Sequence, residues 1–472
     1  MSNQVRVSRR QLLKGAALGA GILAGGPGLL SCSSPAAPAA TSAPKPAATQ
    51  APAAAPAKPF AGQKITVLHF KGGGHDTVFK AQLPDFEATT GIQATVDYLP
   101  EEQLLPKVRT IVGAKSDEYD VIYYRPNLMP EVIKTGAIEP IDAYVAKSKA
   151  EDKQFDYEDF MGPLIGSFVF DGKQWGLPQQ GGGNLLMYNK EAFKVAGLDK
   201  PPKNLDEMEA FAKKIHSPSM AGIAMRGKRE AGINVFAWIF VWKIQGAKWY
   251  DNIKGNWFNE KWEPQLATPE AITSADRWAR MLRETGPKGI SSYGWQECLL
   301  DFQQSTVSMW MDDVGFVDQV EDPKASKVAG KTGYAVVEGP GNNYTCVAPW
   351  GFILNAASKK KDAGWEFMRW ATGFKTQLAM VKGGYSRPSR RKVLESGEME
   401  KSLPPEFVKA LLQSMAVADP AYKPLIHQQT EINDLTSAAI SSVLTGQATA
   451  QAAMTELNNK VTAIMKRDGY IK

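Results

Sequence analysis

Apolar positions change rhythm several times along this chain. Lys64 to Phe70 (KITVLHF) is a short β-branched apolar run stopped by Gly72-Gly73-Gly74, the pattern of a buried strand. Thr77 to Thr90 sets Val78, Phe79, Leu83 and Phe86 near helical spacing, with Gly91 placed as a C-terminal cap and Pro84 expected to kink the helix. Ile92 to Leu99 reads as a strand, Glu101 to Val112 as a helix and Tyr119 to Tyr124 (YDVIYY) as a strand again. This alternation predicts a parallel sheet with helices on its faces. A second unit opens at Asn204-Leu205-Asp206-Glu207, which resembles a capping box and leads into an apolar face of Leu205, Met208, Phe211, Ala212 and Ile215. Glu270 to Glu284, Asp362 to Ala371 and Thr430 to Met465 are further amphipathic helices, and Trp238, Trp242, Trp278, Trp365 and Trp370 sit at helical spacing that points to a core. From Gly62 onward the body is 411 residues long, which exceeds a single core. Two α/β lobes and a helical C-terminal part are expected.

The N-terminus has a different pattern. Ser8-Arg9-Arg10-Gln11-Leu12-Leu13-Lys14 precedes an apolar segment, Leu12 to Leu30, that holds six glycines and Pro27. It makes a poor transmembrane helix and a good export signal, and the paired arginines suggest the route that carries folded proteins. Leu29-Leu30-Ser31-Cys32 resembles a lipobox, so residues 1–31 are read as a twin-arginine lipoprotein signal peptide and Cys32 as the lipidated residue. Ser33 to Pro59 holds 7 Pro and 12 Ala in 27 residues, with no aromatic residue and no Leu, Ile or Val. Such a stretch cannot offset its ordering entropy by burial and is expected to act as an extended tether over residues 32–61, reaching at most roughly 80 Å. The expected location is the outer face of the cell membrane, in the periplasm or at the cell surface.

Composition narrows the function. Residues 1–31 carry Arg6, Arg9, Arg10 and Lys14 and no acid, so the formal charge falls from +6 to +2 without them. No nucleic-acid or anionic-surface partner is indicated. The four histidines (His69, His75, His216, His427) form no ligand-spaced pair and no C-x-x-C occurs, so neither a metal nor a cofactor is expected. Cys298 and Cys346 are chemically free to bridge outside the cell, but spacing does not decide whether they do.

Several segments in order resemble one family. They are Tyr119-Asp120-Val121-Ile122-Tyr123-Tyr124, Thr135-Gly136-Ala137-Ile138-Glu139-Pro140-Ile141-Asp142, Trp175-Gly176-Leu177-Pro178 and Leu186-Met187-Tyr188-Asn189-Lys190-Glu191-Ala192-Phe193. Further on come Ser308-Met309-Trp310-Met311-Asp312, Trp350-Gly351-Phe352 and Ala363-Gly364-Trp365-Glu366-Phe367. The chain resembles the family 1 extracellular solute-binding proteins of ABC importers, a sugar-binding group that includes maltose-binding proteins. The resemblance implies an α/β, two-lobed periplasmic-binding-protein fold of type II-like form, with a hinge and an interlobe cleft. Lobe 1 would comprise 62–180 and about 350–385, and lobe 2 would comprise 181–349 and about 386–472. The chain would cross between lobes near Gln179 to Gly183 and near Ala348 to Gly351. The run Gly181-Gly182-Gly183 is expected to supply conformational freedom for closure. The implied function is capture of a sugar or oligosaccharide and delivery to membrane permease subunits, by a monomer.

Sugar recognition needs aromatic faces for the ring C–H surfaces and amides, carboxylates or guanidinium groups for the hydroxyls. Residues just after predicted strands are therefore candidates. After the first strand these are His75 and Asp76; after the third, Tyr124, Arg125 and Asn127. At the hinge they are Gln179, Gln180 and Asn184. Arg226, Glu230 and Asn234 lie in the polar insert MRGKREAGIN, and Asp312, Asp313 and Phe316 follow a later strand. Trp350 lies at the second crossing, and Tyr385, Ser386 and Arg387 follow Gly383-Gly384. Trp350→Ala is expected to weaken sugar affinity with little loss of stability. The alternative class is a lipid-tethered extracellular glycan hydrolase, which would need two carboxylates across a cleft or a nucleophile with its base. No G-x-S-x-G or H-E-x-x-H motif is present, and no enzyme is expected.

Overall fold

A computed structural model describes residues 58, 60–72, 75–340 and 344–472. The export signal, most of the tether and Cys32 lie outside the described residues. The strands that position the site are β1 (Lys64–Phe70), β2 (Gln93–Leu99), β3 (Val121–Tyr124), β4 (Ile138–Glu139), β5 (Gly176–Gln180), β6 (Asn184–Asn189), β7 (Met309–Asp313), β8 (Thr332–Ala335), β9 (Thr345–Cys346), β10 (Trp350–Asn355) and β11 (Ala418–Asp419).

The first sheet runs β2-β1-β3-β10-β4, with β5 also paired to β10. Its leading strands are parallel, as the alternation predicts: Lys64 pairs with Gln93 and Val67 with Val121. Strand β10 enters antiparallel to β3 and β5. The second sheet, β8-β6-β7, is antiparallel, and parallel bridges from Ala221 and Ala224 widen it. The chain passes from the first sheet to the second between β5 and β6 and comes back between β9 and β10.

Local chemistry explains the elements and their limits. Gly91 ends the helix Leu83–Thr90 with φ 79°, as its position predicts. The single helix expected over 77–90 is instead two, His75–Lys80 and Leu83–Thr90, because Pro84 lacks the N–H that would continue the ladder and serves as an early residue of a new helix. The long helix expected from Thr430 likewise divides, into Gln429–Leu444 and Ala450–Arg467, with Thr449 capping the second. Asn204 Oδ1 accepts from the Glu207 N–H at 3.0 Å, which starts the helix Leu205–Ile215. The helix Ile233–Ile244 (INVFAWIFVWKI) is apolar on every side and buried on every side, with Trp238 stacked on Trp242 at 4.9 Å.

Cys298 and Cys346 are both buried free thiols. The hinge glycines differ from expectation. None of Gly181, Gly182 and Gly183 has a positive φ. A Cβ would collide with Leu164 at the first, with Val314 at the second and with Ser414 Oγ at the third. Glycine is needed there for close packing against these neighbouring side chains, not for a left-handed bend.

Candidate functional site

Strand direction brings the site together. Strands β1, β3 and β5 end at one edge of the first sheet, and antiparallel β10 begins there. Trp350 therefore sits opposite Gln180, and Gly351 opposite Tyr124. In the second sheet Asn184 at the start of β6 pairs with Asp313 at the end of β7. The two edges face the same connecting strands, the position where open α/β folds bind ligands.

The hinge side is a buried polar cluster. His75 Nε2 donates to Gln179 Oε1 at 2.8 Å, and the Tyr385 hydroxyl donates to Gln180 Oε1 at 3.3 Å. Gln377 Nε2 donates to the Gln179 carbonyl at 2.8 Å and Ser389 Oγ to the Pro178 carbonyl at 2.7 Å, which clamps the hinge strand. Arg387 Nη1 donates to Asp313 Oδ1 at 3.2 Å, and the same oxygen accepts from the Gly315 N–H at 2.8 Å. Burial drives the His69 imidazole down to about 4 and the His75 imidazole well below its usual value; both rings are neutral at pH 7. Burial pushes the Asp318 carboxyl up to about 6, against the pull of Arg387. His75 Nδ1, Gln179 Nε2 and Asp318 Oδ1 are buried without a protein partner. Buried polar atoms are nearly always hydrogen-bonded, so such a group around one hinge marks a place built to meet something else.

Above it lies an aromatic and cationic layer. Trp350 stacks on Tyr123 at 5.6 Å and 12° and on Phe70 at 5.3 Å, and the Arg125 guanidinium lies 4.9 Å over its ring. Arg125 also pairs with Glu101 at 2.6 Å. Across the cleft Arg226 lies 4.5 Å over Phe236 and pairs with Asp312 through two guanidinium nitrogens, Nη2 and Nε, the latter at 2.8 Å. Phe316 stacks on Trp295 at 5.2 Å, and Tyr422 meets Phe236 edge-on at 5.8 Å.

The candidates read from the sequence divide accordingly. His75, Gln179, Gln180, Tyr385, Arg387 and Asp313 come together at the hinge; Arg125, Trp350, Arg226 and Phe316 form the upper layer. Asp312 accepts from Arg226, from Trp310 Nε1 at 3.2 Å and from the Asp313 N–H at 2.7 Å, so its oxygens are committed to the protein. Asn184 Oδ1 accepts from the Cys346 N–H at 2.8 Å, tying β6 to β9. Asn234 bonds Ser437, and Ser386 is buried. Asp76 Oδ1 accepts from the Gly72 N–H at 3.3 Å, and Asn127 is buried in the short turn after Arg125. Glu230 is exposed and paired with Lys228, away from both groups. Tyr124 is buried on the opposite face of β3 from Tyr123, under the influence of Glu131 and Arg109.

Five further residues enter the site. Tyr123 and His69 belong to the aromatic column, stacked at 4.2 Å. Asp318, Tyr422 and Lys423 come from segments without a motif; the only sequence signal for the last two is their place between Pro420 and Pro424.

The chain matches the bacterial extracellular solute-binding proteins over residues 72–377. It belongs to that family, whose members are binding proteins and not enzymes. It is 26% identical over 332 residues to an erythritol/L-threitol-binding protein of Mycolicibacterium smegmatis, covering 67% of this chain and 69% of that one. It is 25% identical over 396 residues to a mannitol-binding protein of Pseudomonas aeruginosa, covering 79% and 86%. A solute-binding protein of Agrobacterium vitis, solved with bound D-mannitol, superimposes with a TM-score of 0.73 at 27% identity, covering 87% of this chain and all of that one. The two-lobed fold follows from these likenesses.

Proposed function

We propose that this protein captures a sugar or polyol in the cleft between its lobes and delivers it to the permease of an ABC importer. The observation that carries this reading is the convergence, at one edge of two sheets, of a Trp350–Tyr123 aromatic stack with Gln179, Gln180, His75 and Tyr385. Amides and neutral imidazoles both donate and accept, which suits hydroxyls, and the indole suits the C–H face of the ligand. The polyol ligands named for the relatives support the same class. In this reading lobe 1 is 62–180 with about 350–385, lobe 2 is 181–349 with about 386–472, and closure brings Arg226 and Phe316 toward Arg125 and Trp350.

The delivery step rests on residues outside the described ones. Among the described residues no helix is long and apolar enough to cross a membrane. A lipid on Cys32, added after twin-arginine export, would hold a monomeric receptor near its permease and raise its effective concentration there. Mass spectrometry of the mature N-terminus tests this: a diacylglyceryl Cys32 supports it, and an unmodified N-terminus beyond Cys32 removes it. Titration calorimetry against sugars and polyols, with product analysis after long incubation, tests the receptor. Saturable binding without turnover is expected; released products would overturn it.

A further inference from the structure

Lys423 is buried, 8% exposed, in the loop that follows β11. Among the described residues it has no hydrogen-bond acceptor and no carboxylate within 4 Å. Its ammonium lies 5.7 Å from the Tyr422 ring, which meets Phe236, the ring that Arg226 covers. The Arg125 and Arg226 guanidiniums act against its charge, and Glu101 and Cys346 act for it. Both guanidiniums are already committed, Arg125 to Glu101 and Arg226 to Asp312. Lys423 is therefore the cation of this layer with no ion-pair partner among the described residues.

The loop that holds it is firmly built. Asp419 Oδ1 accepts from the Ala421 N–H at 2.7 Å and from Trp249 Nε1 at 2.9 Å, and Asp419 also pairs with Lys243. Trp257 Nε1 donates to the Tyr422 carbonyl at 3.0 Å, and the Leu425 N–H to the Ile253 carbonyl at 2.8 Å. Gly255 packs so closely that a Cβ would strike the Ala421 carbonyl. The backbone on both sides of Lys423 is pinned, so its ammonium is placed rather than incidental. The contrast with Lys243 is direct: that buried lysine, on the helix Ile233–Ile244, is given Asp419 at the end of β11 as its partner.

A buried ammonium beside two guanidiniums is costly, and burial with that repulsion draws it down to about 7. A hydroxyl would satisfy its N–H groups but leave the repulsion. An anionic oxygen would offset both.

We propose that the ligand of this cleft is an acidic sugar derivative whose anionic group, a carboxylate or a phosphate, pairs with Lys423 between Arg125 and Arg226. This rests on the reading of the cleft as a sugar or polyol site. The polyol part would lie on Trp350 and the hinge amides.

The test compares neutral and acidic versions of one skeleton on the purified full chain by calorimetry: D-mannitol, D-mannonate and D-mannitol 1-phosphate, followed by glucose with glucuronate and glucose 6-phosphate. At least tenfold tighter binding of one acid than of its neutral parent is expected, the carboxylate and phosphate arms showing which group is taken. Lys423→Met should remove that preference, weakening the acid at least tenfold more than the neutral ligand, and Lys423→Arg should keep most of it. A neutral ligand binding as tightly as its acids overturns the proposal and leaves the receptor reading intact. Equal weakening of neutral and acidic ligands in Lys423→Met also overturns it, because the amine would then serve a hydroxyl. Binding of none of the six, nor of any sugar or polyol in a wider panel, removes the receptor reading as well. The wild-type comparison needs no variant and decides even where Lys423→Met fails to fold.

Discussion

His75 and Gln179, 104 residues apart, meet through a buried 2.8 Å hydrogen bond that ties the start of the helix His75–Lys80 to the hinge end of β5. The Gln179 amide also acts on the His69 ring, which stacks on His75 at 5.0 Å. The hinge strand thus rests on two neutral imidazoles.

That arrangement makes the fold acid-sensitive. His69 is held down to about 4 by burial, against 6.5 in an unfolded chain. Its neutral form is favoured only in the folded state, so the unfolded state binds more protons between these values. The associated stability is fully present above pH 6.5 and is lost as pH falls toward 4, about 3 kcal/mol from His69 alone, with His75 adding in the same direction. Thermal melts from pH 7.5 to 4.5 should fall steeply below 6.5, and His69→Phe should flatten the slope. A melting temperature constant from 7 to 5 would contradict it.

Asp312 is a structural carboxylate. Removing it leaves the Arg226 guanidinium without its counter-charge, a loss of roughly 3–5 kcal/mol for buried pairs. Asp312→Ala should lower the denaturant midpoint strongly, and the double variant Asp312→Leu with Arg226→Met should recover more than half. A double variant as unstable as the single one would show the pair is not the cause.

Gly183 is fixed by Ser414. Gly183→Ala places a methyl on Ser414 Oγ and should cost roughly 1–3 kcal/mol by overpacking. Ser414→Gly in the same chain should restore part of the loss. No rescue in chemical denaturation would point back to backbone conformation as the reason for glycine.

Trp350 carries packing as well as the recognition proposed for it. Its ring is buried and stacks on Tyr123 and Phe70, so Trp350→Ala costs stability, roughly 3 kcal/mol, contrary to the expectation from the sequence that it would cost little. Ligand affinity should fall by roughly 1–3 kcal/mol more than in Trp350→Phe, which keeps the stack. Calorimetry on both variants, folded by circular dichroism, separates the two effects; equal affinities would remove the indole from the site.

Much of the chain was legible from local pattern. The strand over Lys64–Phe70, the Gly91 cap and the Asn204 cap depend on contacts a few residues apart, and the structure has them. The hinge candidates Gln179 and Gln180 followed from the family resemblance, which sets a crossing between lobes near Gln179 to Gly183. Tyr123 against Tyr124 could not be chosen that way, because two adjacent tyrosines are interchangeable in a pattern and only the pleat decides which one joins the Trp350 column.

The amino-acid pattern alone established the strand–helix order, the parallel opening of the first sheet and the edge at which polar residues gather, since periodicity and turn chemistry are short-range properties. Which of those polar groups remain available was decided by packing between residues far apart in the chain. Asp312 is consumed by Arg226, 86 positions earlier, and Asn184 by the backbone 162 positions later. Lys423 comes under the influence of both Arg125 and Arg226 only because the loop pinned by Trp249, Trp257 and Ile253 carries it there. Charge pairing is set by distance in space, and for these residues that distance exists only in the folded chain.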